Sequence, residues 1–287
     1  MGSGKPAAAG SEHLPYTVLR LESWDEFLRL ITDSPYSNWA FRGLADERWP
    51  LSSKLSRYFE NFRVDRRAWP EQEERILRIF KRKAHHFLTQ PPDPNDEFQW
   101  LALMQHHGAP TRLVDFTWSP YVAAFFALEA ATGDAAVWAL NPVPLSYVHE
   151  QTIPGGRRIA PPEMNPRVEG NLRKYFLKAD IPFIWVGEPQ VMNRRLIAQS
   201  GTFAIPGVLT QPMEEILSSY PDPRNTLVKF VLPAGKVRKR GLRELYRMNI
   251  TNATLFPDLD GLARSLAYEL EFHWRYDPQT MERYLDY

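Results

Sequence analysis

The sequence predicts a mixed α+β fold in a single domain, with helices flanking the sheet. Helical patterns dominate its first half and strand patterns dominate its second half. This order argues against the regular alternation of strands and helices in a doubly wound parallel sheet. The 287 residues, 44% of them hydrophobic, are enough to bury a core. We therefore expect one folded unit over residues 15–287, preceded by a Gly/Ala/Ser-rich leader over residues 1–14.

The first predicted elements are a strand, a helix and a second strand. An alternating stretch from Tyr16 to Leu21 is short enough for a strand. Ser23 is a good N-cap for a helix over residues 24–31, and Glu26 follows it at capping-box spacing. Residues 38–43 read as a strand that ends in a turn at Gly43.

Helices follow in the middle of the chain, and strands dominate after them. Residues 71–90 are amphipathic, with acidic residues first and basic residues last, as the helix dipole favours. Two more helices are predicted over residues 96–106 and 120–131, the second entered through Ser119-Pro120. Strands are predicted at residues 135–140, 183–186, 202–205 and 227–232, and the closing helices at 242–248 and 260–270.

The composition excludes several classes of function. Cysteine is absent, so thiolate nucleophiles, zinc–thiolate sites and disulfides are ruled out. The net charge of +1 provides no overall field to recruit nucleic acid or acidic membranes. No apolar run approaches the roughly 20 residues of a membrane helix. We expect a cytoplasmic protein with no membrane partner.

The densest group of chemically active side chains lies between residues 105 and 120. The segment holds two His, a Thr, an Arg, an Asp and a Ser, and Gly108 and Pro110 impose a turn. Polar groups held on a shaped loop are typical of a functional site. A purely structural reading stays open, in which Asp115 pairs with Arg112 while His107 and Ser119 cap helices.

Metal and hydrolase chemistry fit this segment poorly. His106 and His107 are adjacent, so their side chains point in different directions and cannot readily share one ion. The sequence around Ser119 is not a Gly-x-Ser-x-Gly elbow, and no glycine-rich phosphate loop is present. We predict no metal site.

Three motifs of the chain stand out together: Phe41-Arg42-Gly43, the stretch from Gln105 to Phe116, and the stretch from Ser119 to Ala127. They resemble the motifs of the FRG domain, a bacterial family named for the first of them. Residues 255–262 resemble the C-terminal motif of the family. The resemblance extends over roughly residues 20–270 and is carried mainly by the long middle motif.

A second resemblance, to ADP-ribosyltransferases of the arginine–serine–glutamate type, implies a mechanism. Arg42 stands where that group has an Arg at the end of an early strand, and Ser119 stands where it has a Ser before a helix. The glutamate motif corresponds to Gln199–Phe203, where Gly201 occupies the position of the acid. The resemblance implies a split-sheet core with flanking helices and NAD as the nucleotide ligand.

The resemblance also implies roles for individual residues. Arg42 would clamp the pyrophosphate of NAD and Ser119 would position the nicotinamide ribose. An aromatic side chain, Tyr121, Phe125 or Trp118, could stack on nicotinamide. The missing glutamate leaves three alternatives: another acid replaces it, Gln199 serves in its place, or the domain catalyses nothing. The candidate acids are Asp115, Glu188, Asp258 and Asp260. The expected catalytic set is Arg42, Ser119, Gln199, Asp115 and Asp258, and the expected ligand contacts are Phe41, Arg42, Gly43, Gln105, His106, His107, Thr111, Arg112, Ser119 and Tyr121.

Three interpretations of function follow. The favoured one is an enzyme that transfers ADP-ribose from NAD to a protein or nucleic acid, or hydrolyses NAD. By analogy it would be a toxin or phage-defence component with a partner protein from the same locus. The second is a module that binds a nucleotide or nucleic acid without catalysis, with the basic stretch 236–240 as a phosphate contact or, alternatively, a solvated turn. The third is a metal-dependent nuclease that uses His106 or His107 with Asp115.

Overall fold

The computed structural model describes residues 14–32, 35–147, 151–152, 158–178, 181–272 and 280–282. The expected leader, apart from Leu14, lies outside these residues. In the part of the chain that is described, no helix is both long enough and apolar enough to cross a membrane.

The fold is mixed, as predicted: helices flank a seven-stranded sheet of strand order β1-β9-β4-β2-β3-β8-β7. Strand β1 pairs in parallel with β9, and the other neighbours are antiparallel. The strands are β1 Thr17–Arg20, β2 Ala40–Leu44, β3 Val114–Thr117, β4 Ala135–Leu140, β7 Ile184–Gly187, β8 Gly201–Pro206 and β9 Leu227–Leu232. A separate short pair consists of β5 Gln151–Thr152 and β6 Arg158–Ile159.

Twelve α-helices are found among the described residues, together with short 3₁₀ and π segments. The α-helices are α1 Trp24–Thr32, α2 Lys54–Asn61, α3 Trp69–Ala84, α4 Glu97–His106, α5 Pro120–Glu129, α6 Pro142–Tyr147, α7 Arg194–Ala198, α8 Met213–Leu217, α9 Pro223–Thr226, α10 Ala234–Arg247, α11 Asn252–Leu255 and α12 Leu259–Phe272. The 3₁₀ segments are Arg66–Ala68 and Pro161–Met164, and the π segment is Leu172–Leu177.

The sheet has two parts that meet at one residue pair. Strands β1, β9, β4 and β2 form one part, and β3, β8 and β7 form the other. Between β2 and β3, the register within the described chain consists of Phe41 opposite Thr117. By contrast, β2 and β4 pair over five residues and β3 and β8 over four. The two parts therefore diverge on either side of the Phe41–Thr117 pair.

Gly43 allows helix α5 to lie directly against β2. A Cβ atom at Gly43 would lie 1.9 Å from the carbonyl oxygen of Ala123 and 2.5 Å from the backbone nitrogen of Ala127. Any side chain there would push the helix away from the strand. Phe41 lies on the same face of β2 and is buried in the core beneath α5. Arg42, between them, points to the opposite face.

Two predictions for the first half of the chain are wrong. Strand β2 does not end at Gly43 but continues to Leu44, because all five of its residues pair with β4. The segment after α4 is not a continuous loop, because residues 114–117 form β3 against β8. The pairing of β3 with a strand more than 80 residues away leaves no local signal.

Two helix boundaries also differ from the prediction. Helix α3 ends at Ala84 rather than at residue 90, because its buried face ends there and Phe87 is exposed. Residues 236–240 belong to α10 rather than to a turn, since Val237, Leu242 and Leu245 form one buried face of that helix.

Candidate functional site

A cleft of about 590 Å³ opens where β2 and β3 diverge. This volume is within the range of small-molecule sites, roughly 300–1,000 Å³. The cleft is lined by both parts of the sheet, by the loop after β2 and by α2, α5 and α7. Its lining residues are Phe41, Arg42, Gly43, Leu44, Ala45, Trp49, Pro50, Arg57, Asp115, Phe116, Thr117, Phe126, Ala130, Arg195 and Gln199.

Arg42 crosses this cleft from β2 to β3. Its Nη1 atom donates a 2.5 Å hydrogen bond to the backbone carbonyl of Asp115 and lies 3.8 Å from the Oδ2 atom of the same residue. The Nε atom of Arg42 is buried and has no hydrogen-bond partner among the described residues. An unsatisfied buried donor is costly, so this N–H is available to a bound acceptor.

Two further arginines, which the sequence did not single out, line the same cleft. Burial lowers the pKa values of Arg42, Arg57 and Arg195, and the charge of Asp115 opposes the lowering in each case. Arg57 also lowers the pKa of Arg42 directly, so these two cations repel each other. Arg195 makes a cation–π contact with Phe256, whose ring centroid lies 4.5 Å from the guanidinium carbon.

Asp115 is the carboxylate at the centre of these three arginines. Its side chain is half exposed, and its Oδ2 atom accepts a 2.8 Å hydrogen bond from Gln105 Nε2. The Oε1 atom of Gln105 in turn accepts a 2.7 Å hydrogen bond from Thr111, which fixes the orientation of the amide. Gln105 and Thr111 therefore support Asp115.

The other candidate acids have different roles or positions. Glu188 pairs with Arg167 at 3.3 Å and accepts a hydrogen bond from the indole of Trp118. Asp258 precedes α12 and accepts a hydrogen bond from the backbone of Gly261 in its first turn. Asp260 is exposed and does not line the cleft.

Ser119 and Gln199 form hydrogen bonds that connect the elements on either side of the cleft. The hydroxyl of Ser119 caps α5 by accepting a hydrogen bond from the backbone of Val122, and it is not among the lining atoms. Thr117 donates to the carbonyl of Gln199 and accepts from the backbone of Ser119. The amide of Gln199 lines the cleft and donates to the carbonyl of Leu255.

Several residues of the predicted ligand-contacting set lie away from the cleft. Arg112 is buried and pairs with the equally buried Glu73. The purely structural interpretation, in which Arg112 pairs with Asp115, is therefore wrong on this point. Its Nη1 atom also donates to the carbonyl of Pro206 at 2.9 Å, so this arginine joins α3 to the end of β8. His107 is exposed at the end of α4, and Tyr121 packs partly against the core.

His106 lies beside the cleft rather than in it. It lines a pocket of about 40 Å³ that shares Asp115, Arg195 and Gln199 with the cleft. Burial lowers the pKa of His106, and its Nδ1 atom has no hydrogen-bond partner among the described residues. Within that same part of the chain, no three His, Asp or Glu side chains cluster as a metal site requires.

Residues 37–135 match the family model of the FRG domain. The match includes Phe41-Arg42-Gly43 and the segment 105–127, so the predicted resemblance is confirmed for these motifs. The resemblance suggested for residues 255–262 lies outside the matched range. No curated protein and no solved structure is significantly similar to the chain.

Proposed function

We propose that this FRG-domain protein binds NAD in the cleft and cleaves its bond to nicotinamide, passing ADP-ribose to a macromolecule or to water. One observation carries the proposal. Three arginines lie around the carboxylate of Asp115 at the wall of a nucleotide-sized cleft. The nearest of them, Arg42, has a buried Nε with no hydrogen-bond partner among the described residues.

The charges favour a pyrophosphate ligand. Arg42, Arg57 and Arg195 line the cleft with three cations, and Asp115 is the one carboxylate in the lining; Glu60 and Asp258 act on Arg57 and Arg195 from outside it. Guanidinium groups bind phosphate oxygens through pairs of parallel hydrogen bonds. A pyrophosphate would add negative charge inside the cleft and an acceptor for Arg42 Nε. It would also offset the burial and the repulsion from Arg57 that together lower the pKa of Arg42.

Asp115 is our candidate for the acid that Gly201 does not provide. The space beside Gly201 is filled, since a Cβ atom there would lie 2.5 Å from a methyl group of Leu196. Gly201 is nevertheless close to the cleft, because it pairs with Thr117. A carboxylate at Asp115 could stabilise the positive charge that develops on the ribose in the transition state.

The chemistry balances without a metal or a redox step. The bond between C1′ of the ribose and the nicotinamide nitrogen breaks, and its electron pair leaves with neutral nicotinamide. An oxygen or nitrogen of the acceptor forms the new bond to C1′ and releases one proton. Asp115 is placed to take that proton or pass it to solvent.

The wider role rests on the family resemblance. We propose a toxin or phage-defence component in the cytoplasm, acting on a protein or nucleic acid and controlled by a partner protein from the same locus. A module that binds a nucleotide without catalysis is the second candidate, and the glycine at position 201 favours it.

Substitution of Asp115 separates the two candidates. Asp115→Asn removes the negative charge from the cleft, so we expect it to strengthen pyrophosphate binding by about 1 kcal/mol, or about fivefold. The same change should lower nicotinamide release from NAD by about 100-fold, because a charge-stabilising group is lost. Calorimetry measures the affinity, and labelled NAD, with and without cell lysate, measures the release.

Arg57→Ala should weaken pyrophosphate binding at least about tenfold, since it removes one of the three cations. Arg67→Ala is the matched control, because Arg67 is exposed and paired with Asp65. If pyrophosphate and NAD bind to neither the native protein nor the Asp115→Asn variant, the proposal is wrong. Binding of NAD without nicotinamide release or transfer would support the second candidate instead.

A further inference from the structure

The cleft wall has an apolar section beside the arginines. Leu44, Ala45, Pro50, Phe126 and Ala130 form this section, and Trp49 completes it. The exposed surface of the cleft is mainly apolar, although three arginines line it. A ligand that suits both sections combines a flat apolar ring with a negatively charged group.

Trp49 is unusual among the tryptophans of the described chain. It is 52% exposed, whereas Trp24, Trp69 and Trp138 are buried. Trp118 is also exposed, but its indole donates a hydrogen bond to Glu188. Among the described residues, no ring stacking, cation–π contact or hydrogen bond involves the indole of Trp49.

The loop that carries Trp49 is nevertheless firmly held. The backbone nitrogen of Glu47 donates to the carbonyl of Asp134 at 2.9 Å, and the carbonyl of Glu47 accepts from Lys229 Nζ at 2.5 Å. Arg20 pairs with the Glu47 carboxylate at 3.0 Å. The backbone of Trp49 donates to Asp46 at 3.2 Å. An exposed indole on a fixed loop is a pre-formed surface for a ring to lie on.

We propose that Trp49 is the surface on which the adenine base of the bound nucleotide stacks. This inference rests on the proposed function, because the arginines supply the other half of the contact. Stacking of a base on an aromatic side chain needs only the two ring faces, which the free indole offers. The nicotinamide ring of NAD is positively charged, and the two acids of the loop beside Trp49, Asp46 and Glu47, are already paired with Arg48 and Arg20. The neutral adenine ring therefore suits this section, and the nicotinamide end lies near Asp115.

Three ligands and two variants test this assignment. ADP carries the base and the diphosphate, inorganic pyrophosphate carries the diphosphate alone, and nicotinamide mononucleotide carries the charged ring. We expect Trp49→Ala to weaken ADP binding about tenfold or more and to leave pyrophosphate binding within about twofold. Trp49→Phe keeps an aromatic face and should restore most of the ADP affinity. Quenching of indole fluorescence by ADP should disappear in both variants.

Trp118→Ala is the matched control, since it removes an exposed indole that does not line the cleft. The inference is overturned if Trp49→Ala leaves ADP affinity unchanged or weakens ADP and pyrophosphate equally. It is also overturned if the substitution weakens nicotinamide mononucleotide binding more than ADP binding. In these cases pyrophosphate still binds in an Arg57-dependent way, and the proposed function stands. If neither ADP nor pyrophosphate binds to the native protein, both the inference and the proposed function are wrong.

Discussion

Two arginine sites in this protein differ in how their charge is balanced. Arg112 is buried with Glu73, which accepts hydrogen bonds from its Nε and Nη2 atoms, while Nη1 donates to the carbonyls of Pro206 and Gly207. In the cleft, Asp115 is the one lining carboxylate and its charge acts on Arg42, Arg57 and Arg195, while Glu60 and Asp258 act on Arg57 and Arg195 from outside the lining. At the first site, each nitrogen of the Arg112 guanidinium already donates to a protein acceptor. At the second site, three lining arginines face one lining carboxylate.

The difference distinguishes a structural arginine from the arginines that we propose bind a ligand. The two sites nevertheless share one segment of the sequence, because Arg112 is three residues from Asp115. A buried guanidinium that its own fold satisfies contributes to the architecture. An unbalanced group of guanidiniums at a cleft wall costs stability, and a ligand recovers that cost.

We expect the largest effect on stability at the first site, where Glu73 balances the charge of Arg112. Glu73→Ala leaves the charge of Arg112 buried and unpaired, so we expect the free energy of unfolding to fall by about 3–5 kcal/mol. Denaturant unfolding measures the change. Glu74→Ala is the control, because Glu74 is partly exposed and its pairing with Arg173 should contribute less than about 1 kcal/mol. Equal effects of the two substitutions would mean that Glu73 does not balance a buried charge on Arg112.

An intermediate effect is expected where β2 supports the cleft. Gly43→Ala places a methyl group against the backbone of α5 and should cost about 1–3 kcal/mol of unfolding free energy. Pyrophosphate affinity should fall with it, because Arg42 moves with the strand. Gly133→Ala is the control, since no atom lies within 4 Å of the added methyl group. An unchanged stability for Gly43→Ala would mean that the contact between α5 and β2 is not as close as described.

The smallest effect tests whether Ser119 belongs with the binding arginines or with the structural ones. Ser119→Ala removes the cap of α5 and should cost about 1 kcal/mol of unfolding free energy. Ser119→Asn keeps a capping oxygen and should restore the stability. If nicotinamide release recovers together with stability, Ser119 acts as a cap. Lost release in a stable Ser119→Asn variant would instead show that the hydroxyl contacts the ligand.

The sequence correctly predicted the elements whose caps and hydrophobic periodicity depend on neighbouring residues alone. Ser23 begins α1 and Ser119 begins α5 as expected, and the strands at 135–140 and 227–232 have the predicted bounds. Strand β3 was missed because its pairing with β8 is decided by distant residues and its centre is the polar Asp115. The early end of α3 was missed because the sequence does not show that the buried face stops at Ala84.

Only part of the site was predicted, again because the sequence shows local patterns and not distant contacts. Arg42 and Asp115 stand in motifs and were named, but Arg57 and Arg195 lie in stretches that carry no motif. Folding brings them to Asp115 from α2 and α7, across separations that no pattern in one sequence reveals. Trp49 was missed because a tryptophan is normally expected in the core, and only its exposure in the cleft distinguishes it.

The contact between Arg42 and the Asp115 carbonyl would give the sheet and the proposed phosphate ligand a common donor group. In a continuous antiparallel sheet, a backbone N–H of the neighbouring strand would bond a carbonyl such as that of Asp115, but here the side chain of Arg42 does so. A phosphate that draws the Arg42 guanidinium away from β3 would weaken this bond. Because couplings between two equilibria are reciprocal, the affinity for the phosphate and the spacing of β2 and β3 then depend on each other.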